Sequence, residues 1–552
     1  MAFHFDDYRD ELLFVPLGGL NEIGMNFALY AIEGKWLAID CGIGFADDYL
    51  PGIDVVVPDI RFLADKKDDL LGLVLTHAHE DHIGAVPYLW DQLQCPIYAT
   101  PFTMAMVKHK LSEEGLANKA KLIEMPAGSK KTIGPFELEM IPITHSIPEM
   151  QGLALRTKKG VVMHTGDWKL DADPLVGPVT DEATLKRYGD EGVLAMVCDS
   201  TNVFVEGESG SEADVRTNLI EVIKQCKNRV AITTFASNIA RIETIIRAAE
   251  ATGRHIVLAG RSLWRVIESA KEAGYLQGTQ PFLTDKEAMD LPKSDCLIIC
   301  TGCQGEPLAA LSKISRGEHP QIKLSPGDTV IFTSRKIPGN EMRIGYMHNK
   351  FVEKGVEVIT DHKHFIHVSG HPARDELKRM YHLVRPHISI PVHGEQRHLH
   401  EHAKLARSLN VPHAVEGRNG SVFLLDRNNP MEVGMVHSGY IAIDGNSLIP
   451  TDSPVIKARR KLRDDGVIFA TVAVSARGEL MGEPQIVAPG CLDKEVDGDL
   501  IDAMIEEIEA AAEKFNSLDT KKLSEAIRLI LRRTIKNEFG KKPVIEVVVL
   551  KV

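Results

Sequence analysis

Seven consecutive residues constrain this chain more than any other feature: Thr76-His77-Ala78-His79-Glu80-Asp81-His82 follows directly on the apolar run Leu71 to Leu75. Three imidazoles and a carboxylate are thereby gathered at the end of a strand. In extended chain His77 and His79 share a face, while Asp81 and His82 turn back toward a second point close by. The spacing fits two metal ions side by side. Imidazole combined with carboxylate suits zinc or manganese, and is neither the oxygen cage of calcium nor a thiolate site.

At 552 residues the chain exceeds a single core and predicts about three or four structural units. Its hydrophobic and charged fractions, 44% and 26%, are those of a soluble globular protein. No apolar run approaches the roughly eighteen residues of a membrane span, so no membrane partner is expected. The start, Met1-Ala2-Phe3-His4-Phe5-Asp6-Asp7, has no basic segment followed by an apolar one, which predicts a cytoplasmic protein. Eight scattered cysteines predict reduced thiols rather than a disulfide framework. Cys300-Thr301-Gly302-Cys303 ends an apolar strand and has no second pair, so no redox or metal role is expected of it. The net charge of −13 argues against indiscriminate nucleic-acid binding and permits a basic groove on an acidic body.

The first two hundred residues read as strands with short turns. From about Glu212 the rhythm changes to alternating helix and strand, a Rossmann-like pattern. Eleven of the 22 histidines then fall between His362 and His413, so the metal chemistry resumes after the α/β block, as it would if that block were inserted into the first domain. The expected segments are 1–208 and 363–450 for the metal-bearing domain, 209–362 for the insertion, 451–466 for a polar, proline-punctuated linker and 467–552 for a small α+β C-terminal domain. In the last, Ile501, Met504, Ile505, Ile508, Ala512 and Phe515 have helical spacing. The apolar strand Val544 to Leu550 is expected to be buried in a sheet or at a subunit contact.

Further chemistry follows other strands. His145 comes after Met140 to Ile143, and Asp167 after Val161 to Met163, placing both at carboxyl ends where an open sheet gathers a site. Asp167 is the natural bridge between two metals, because a carboxylate can share its oxygens. His367-Val368-Ser369-Gly370-His371 offers amides, a hydroxyl and imidazoles around a glycine turn, a phosphate cradle. Ser237 and Asn238, at a helix start, could present amides to another phosphate or serve as a plain cap. Asp40 and Asp199 are expected to support ligands through hydrogen bonds. The basic residues Arg528, Arg532, Arg533, Lys536, Lys541 and Lys542 read as a solvated helix face more readily than as an RNA track.

Asp40, His77-x-His79-x-Asp81-His82, His145 and Asp167 resemble the successive motifs of the metallo-β-lactamase fold. Asp199, His367 to His371 and His393 in Pro391-Val392-His393-Gly394-Glu395 resemble the added motifs of its β-CASP nuclease branch. Pro16 to Gly24, Thr234 to Asn238, Thr301 to Pro307 and Ile337-Pro338-Gly339-Asn340-Glu341 are similar to those of the bacterial ribonuclease J family. Two departures stand out: Cys303 replaces an expected serine, and Val203 to Glu212 is not the family's usual loop. The resemblance implies an α/β protein: an αββα sandwich with an inserted β-CASP domain and a small C-terminal domain. It implies one metal on His77, His79, His145 and Asp167 and another on Asp81, His82, Asp167 and His393, with zinc first and manganese or magnesium as alternatives. Asp81 would also orient the attacking water and His371 would serve the leaving 3′ oxygen. The implied activity is a ribonuclease, 5′ to 3′ exonucleolytic and endonucleolytic on single-stranded RNA, preferring a 5′ monophosphate, in RNA maturation and decay. Dimers or tetramers are implied as well. A small-molecule hydrolase of the same fold and a non-catalytic RNA-binding scaffold are the competing expectations.

Overall fold

The computed structural model describes residues 4–337, 339–514 and 519–552. Met1 to Phe3 of the acidic start, Pro338 and Phe515 lie outside the described residues. Two compact units result, residues 1–44 with 57–439, and residues 45–56 with 440–552.

The first unit is built on two facing sheets. One has eight strands, with Leu13–Gly18, Phe27–Ile32, Lys35–Ile39 and Leu70–Val74 in its middle; the other has seven, centred on Phe136–Pro142, Gln151–Thr157, Gly160–His164, Ala195–Asp199 and Ile388–Val392. Phe14, Tyr30, Leu37, Ile39, Val74, Leu138, Leu155, Val162, Val197 and Ile390 fill the space between the sheets. Helices cover the outer faces. Arg374–Val384 and Gln396–Ser408 bury Leu377, Met380, Tyr381, Leu405 and Ala406 against Met163, Met196 and Trp168. The expected αββα sandwich is therefore present, and its strands carry near-continuous apolar runs because both faces are covered.

The insertion is a six-stranded, fully parallel sheet in the order Phe282–Thr284, His255–Ala259, Cys296–Cys300, Val230–Thr233, Thr329–Phe332, Glu357–Ile359. Helices Glu212–Gln225, Ile239–Ala251 and Arg261–Glu272 alternate with these strands, as the change of rhythm from about Glu212 predicts. Arg241 sits wholly inside this unit: it forks onto Glu212 at 2.6 and 2.9 Å and donates to Thr333 O and, at 3.1 Å, to Ile366 O. A buried guanidinium with each of its three nitrogens engaged holds the outgoing chain at Glu212 and the returning chain at Ile366 together. Arg241→Met strands the Glu212 carboxylate and is expected to cost about 3–5 kcal/mol, read as a lower urea midpoint of unfolding with an unchanged slope.

Three expectations need correction. Residues 451–466 are not an irregular linker: Pro454–Asp465 is a helix. Pro454 occupies its first turn, where the missing N–H costs nothing, Ser453 caps it, Arg459 pairs with Asp444, and Gly466 ends it at φ 77°. The hairpin Tyr440–Asp444 and Ser447–Pro450, assigned by sequence to the metal-bearing domain, clusters with the C-terminal unit instead. In that unit Val467–Val474 is the central strand, and helices Gly498–Lys514 and Thr520–Phe539 bury Met504, Ile508, Ala512, Ile527 and Leu531 on it. The final strand, Val544–Lys551, is not buried within the sheet. It is an edge strand, parallel to Val467–Val474, whose second face leaves Val548 and Leu550 half exposed.

Candidate metal centre

Every sandwich strand that ends in a site residue delivers it to the same place. Asp40 closes Lys35–Ile39, His77 follows Leu70–Val74, His145 follows Phe136–Pro142, Asp167 follows Gly160–His164, Asp199 ends Ala195–Asp199 and His393 follows Ile388–Val392. His79 is still extended, and the chain then closes into the single turn Glu80–Ile83, which brings Asp81 and His82 around as the spacing requires. Asp40 at φ 60° and His393 at φ 54° are left-handed without being glycine, local strain of the kind concentrated at functional sites.

Two groups of donor atoms are built on the H-x-H-x-D-H run and share Asp167, namely His77, His79, His145 and Asp167, and Asp81, His82, Asp167 and His393; a third, Asp167, Asp199, His371 and His393, overlaps the second. In the first, His79 Nδ1 lies 3.1 Å from His77 Nε2 and 3.0 Å from His145 Nε2. In the second, His82 Nε2 is 3.1 Å from Asp167 and 3.7 Å from Asp81, while His393 Nε2 is 3.1 Å from Asp81 and 3.6 Å from Asp167. Ligands about 2.0–2.1 Å from a tetrahedral zinc stand roughly 3.3 Å apart, and these separations suit the edges of such a coordination polyhedron. The residues fit divalent metal.

The far nitrogens fix which atom faces inward. His82 Nδ1 bonds Asp40 Oδ2 at 2.7 Å, and Asp40 is itself held by the amide and hydroxyl of Thr76. His145 Nδ1 donates to Gly370 O at 2.6 Å, and a Cβ on Gly370 would lie 2.8 Å from His145 Cε1, so only glycine allows this approach. His393 Nδ1 donates to Thr201 Oγ1 at 2.7 Å, which passes its own proton to Asp199 Oδ1 at 2.7 Å. Such outer bonds orient a ligand imidazole and raise its basicity. The sequence reading missed Thr76 and Thr201, since a threonine beside a motif carries no signal of its own.

The two groups differ electrostatically. Burial pushes His77 and His145 down and His79 to about 4, so these imidazoles are neutral at pH 7. Burial acts the same way on His82 and His393 but is outweighed by carboxylates: Asp167, Asp40 and Asp81 raise His82, and Asp167, Asp81 and Asp199 lift His393 to about 9. Asp81 and Asp167, although buried, are held below the usual carboxylate range by those histidines. Metal entering the second group would therefore expel protons, and metal entering the first would expel none. Titrating the metal-free chain at pH 7 by calorimetry in buffers of different ionisation enthalpy is expected to show about two protons released by one ion and almost none by the other. Affinity in the second group rises with pH through about 9, where His393 loses its proton unaided, His82 being raised as well.

The remaining predicted residues gather on one side. His371 Nδ1 bonds Asp199 Oδ2 at 2.8 Å, and its ring stacks on His393 at 5.3 Å between centroids. Ser369 Oγ accepts from Asn202 Nδ2 at 2.7 Å and from the His371 amide at 3.1 Å, so its own proton is left to donate. Val368 is buried and His367, driven by burial and then by Arg241 to about 3, donates from Nδ1 to Thr333 O. Asn238 is a helix cap: its Oδ1 accepts the Arg241 amide at 2.8 Å, and the amides of Ile239 and Ala240 face Ser237 O and Ser146 O. The helix-start amides expected for a phosphate are thus already engaged. Cys300 and Cys303 are buried with their thiols raised by that burial, which leaves them inert. Among the described residues no helix is long and apolar enough to cross a membrane.

Comparison with known proteins agrees along the whole chain. Residues 24–181 match the metallo-beta-lactamase superfamily, 227–351 the ribonuclease J beta-CASP domain, 355–415 the Zn-dependent metallo-hydrolase RNA specificity domain and 454–552 the ribonuclease J C-terminal domain. Ribonuclease J of Sinorhizobium meliloti is 41% identical over 100% of this chain and 99% of its own length. Ribonuclease J of Synechocystis is 37% identical over 87% of this chain and 75% of its own length. A solved structure of a protein of unknown function from Enterococcus faecalis shares the fold at a TM-score of 0.52 and 15% identity, over 75% of this chain and all of that one. With domain matches in order and a relative alike from end to end, the chain belongs to the ribonuclease J family of metal-dependent ribonucleases.

Proposed function

We propose that the chain hydrolyses single-stranded RNA with two divalent ions, zinc foremost, one held by His77, His79, His145 and Asp167 and the other by Asp81, His82, Asp167 and His393. The single observation that carries this is the pair of donor polyhedra meeting at Asp167. Bound there, the ions supply charge neutralisation at the scissile phosphate and lower the pKa of the attacking water. Asp81, with one oxygen toward His393, is placed to orient that water. Asp40, Thr76, Thr201 and Asp199 hold the imidazoles in a fixed tautomer. His371 keeps its Nδ1 on Asp199, so its Nε2 is the atom that can hand a proton to the leaving 3′ oxygen. Ser369, with the chain around it pinned by Asn202 and His145, holds a phosphate oxygen beside the scissile bond.

Cleavage proceeds exonucleolytically from a 5′ monophosphate and also internally, in a cytoplasmic dimer or tetramer that draws on the exposed face of Val544–Lys551. The test is a 5′-labelled single-stranded RNA bearing one or three phosphates. Labelled mononucleotide from the monophosphate RNA and internal fragments from both are expected. A small-molecule hydrolase or a non-catalytic scaffold would leave both RNAs intact with metal bound.

A further inference from the structure

Beside the cradle, the insertion presents a feature that the chemistry above does not use. Thr333 O accepts both His367 Nδ1 and Arg241, so the segment that starts at Thr333 is fixed to the cradle. Gln304 then grips it from the other side: Nε2 donates to Arg335 O at 2.9 Å and Oε1 accepts the Ile337 amide at 2.9 Å. Held this way, Arg335 and Lys336 are both exposed, and among the described residues neither forms an ion pair. The nearest acids along the chain are occupied by backbone amides, Asp328 by those of Arg229 at 3.2 Å and Ser325 at 2.8 Å and Glu341 by that of Gly339 at 2.7 Å. Two unmatched cations on a pinned loop are unusual in a chain of net charge −13, whose overall field repels RNA unless the path is locally basic.

The same rim continues into a cavity of about 310 Å³, which begins at Gly305, next to Gln304, and is lined by Arg316, Met342, Arg343 and Tyr346. Met342 is 88% and Tyr346 55% exposed. An exposed thioether and phenol over a hollow form a surface on which a base can stack, with Arg316 in its wall already held by Glu318 at 2.7 Å and Pro307 O at 2.9 Å, so that the cations open to phosphate are Arg335 and Lys336.

We propose that this rim is an RNA track: phosphates of the single strand leaving the cleft lie on Arg335 and Lys336, and one base enters the cavity against Tyr346 and Met342. The proposal rests on the ribonuclease reading and adds to it a binding surface outside the reacting centre. Continuity with the cradle through Thr333, together with the charge, makes RNA rather than a protein the occupant.

The experiment uses the metal-loaded full chain, its Arg335→Ala/Lys336→Ala and Tyr346→Ala variants, and an RNA made non-hydrolysable by methylene groups in place of its leaving 3′ oxygens, long enough to span cleft and rim. Binding is followed by fluorescence anisotropy over a range of salt, with hydrolysis of bis(p-nitrophenyl) phosphate as the measure of the centre itself. Loss of two phosphate contacts flattens the slope of log affinity against log salt by about 1.4. Tyr346→Ala weakens binding roughly 5- to 100-fold with the slope unchanged. Both variants hydrolyse the small ester as the parent does. Parental affinity and slope in both variants overturn the track alone, and leave a protein partner as the occupant of the rim. Loss of ester hydrolysis in the variants also overturns it, because the rim would then be part of the centre. Failure of the parent chain to bind RNA would instead remove the ribonuclease reading, and the track with it.

Discussion

Asp167→Ala is expected to strip metal from both halves of the centre and to lower RNA cleavage by roughly 10³- to 10⁵-fold, the equivalent of about 4–7 kcal/mol of transition-state stabilisation. The size follows from its position. Asp167 Oδ2 lies 3.1 Å from His82 Nε2 and 3.6 Å from His393 Nε2, and the same side chain belongs to the group of His77, His79 and His145. Its loss also leaves His82 and His393 without the carboxylate that contributes most to keeping them charged. By contrast His79→Ala removes a ligand from one group only, so one equivalent of metal is expected to remain. Metal content by mass spectrometry separates the two variants, and equal retention in both would contradict the shared corner.

The second large effect is at His371. His371→Ala is expected to lower kcat for RNA by roughly 10²- to 10⁴-fold while both metals and KM are retained. His371 lies outside both donor groups built on the H-x-H-x-D-H run and enters only the third, with Asp167, Asp199 and His393, where its Nδ1 is already committed to Asp199 at 2.8 Å. A proton donor matters only when the leaving group needs a proton. Thymidine 5′-(p-nitrophenyl phosphate), whose p-nitrophenolate leaves unaided, is therefore expected to be hydrolysed at nearly the parental rate. Asp199→Asn should weaken both His371 and, through Thr201, the orientation of His393, so unlike His371→Ala it is expected to lower kcat and metal affinity together. Equal loss on RNA and on the activated ester in His371→Ala would assign the residue to metal or phosphate binding instead.

Much of this centre is legible in sequence because its ligands sit where strands stop. An apolar run followed by histidine or aspartate announces both the strand and the ligand, as at Leu71 to His77 and Val161 to Asp167, and the carboxyl end of a strand is where an open sheet collects a site. The inserted domain is equally plain, since its helices and buried strands change the hydrophobic period. What the sequence hides are partnerships between residues far apart. Arg241 reads as one charge among Ile239, Ile242, Ile245 and Ile246; its position on an apolar face is a signal, but nothing local names Glu212, Thr333 and Ile366 as its partners. Thr201 and Asn202 gain meaning only when His393, Ser369 and His371 arrive from the other side of the insertion. Pro454 misleads in the opposite sense, because a proline that breaks a helix interior is favoured in its first turn. Asn238 shows why a helix start alone is a weak phosphate signal: its side chain serves the helix itself.

The measurement that bears most directly on the account is a titration of the metal-stripped chain with zinc or manganese, following bound metal and cleavage of single-stranded RNA in the same samples. The donor geometry predicts saturation at two ions per chain, with cleavage appearing as the second ion binds and no cleavage at zero occupancy. Full cleavage by the metal-free chain, or none at any occupancy, would contradict it.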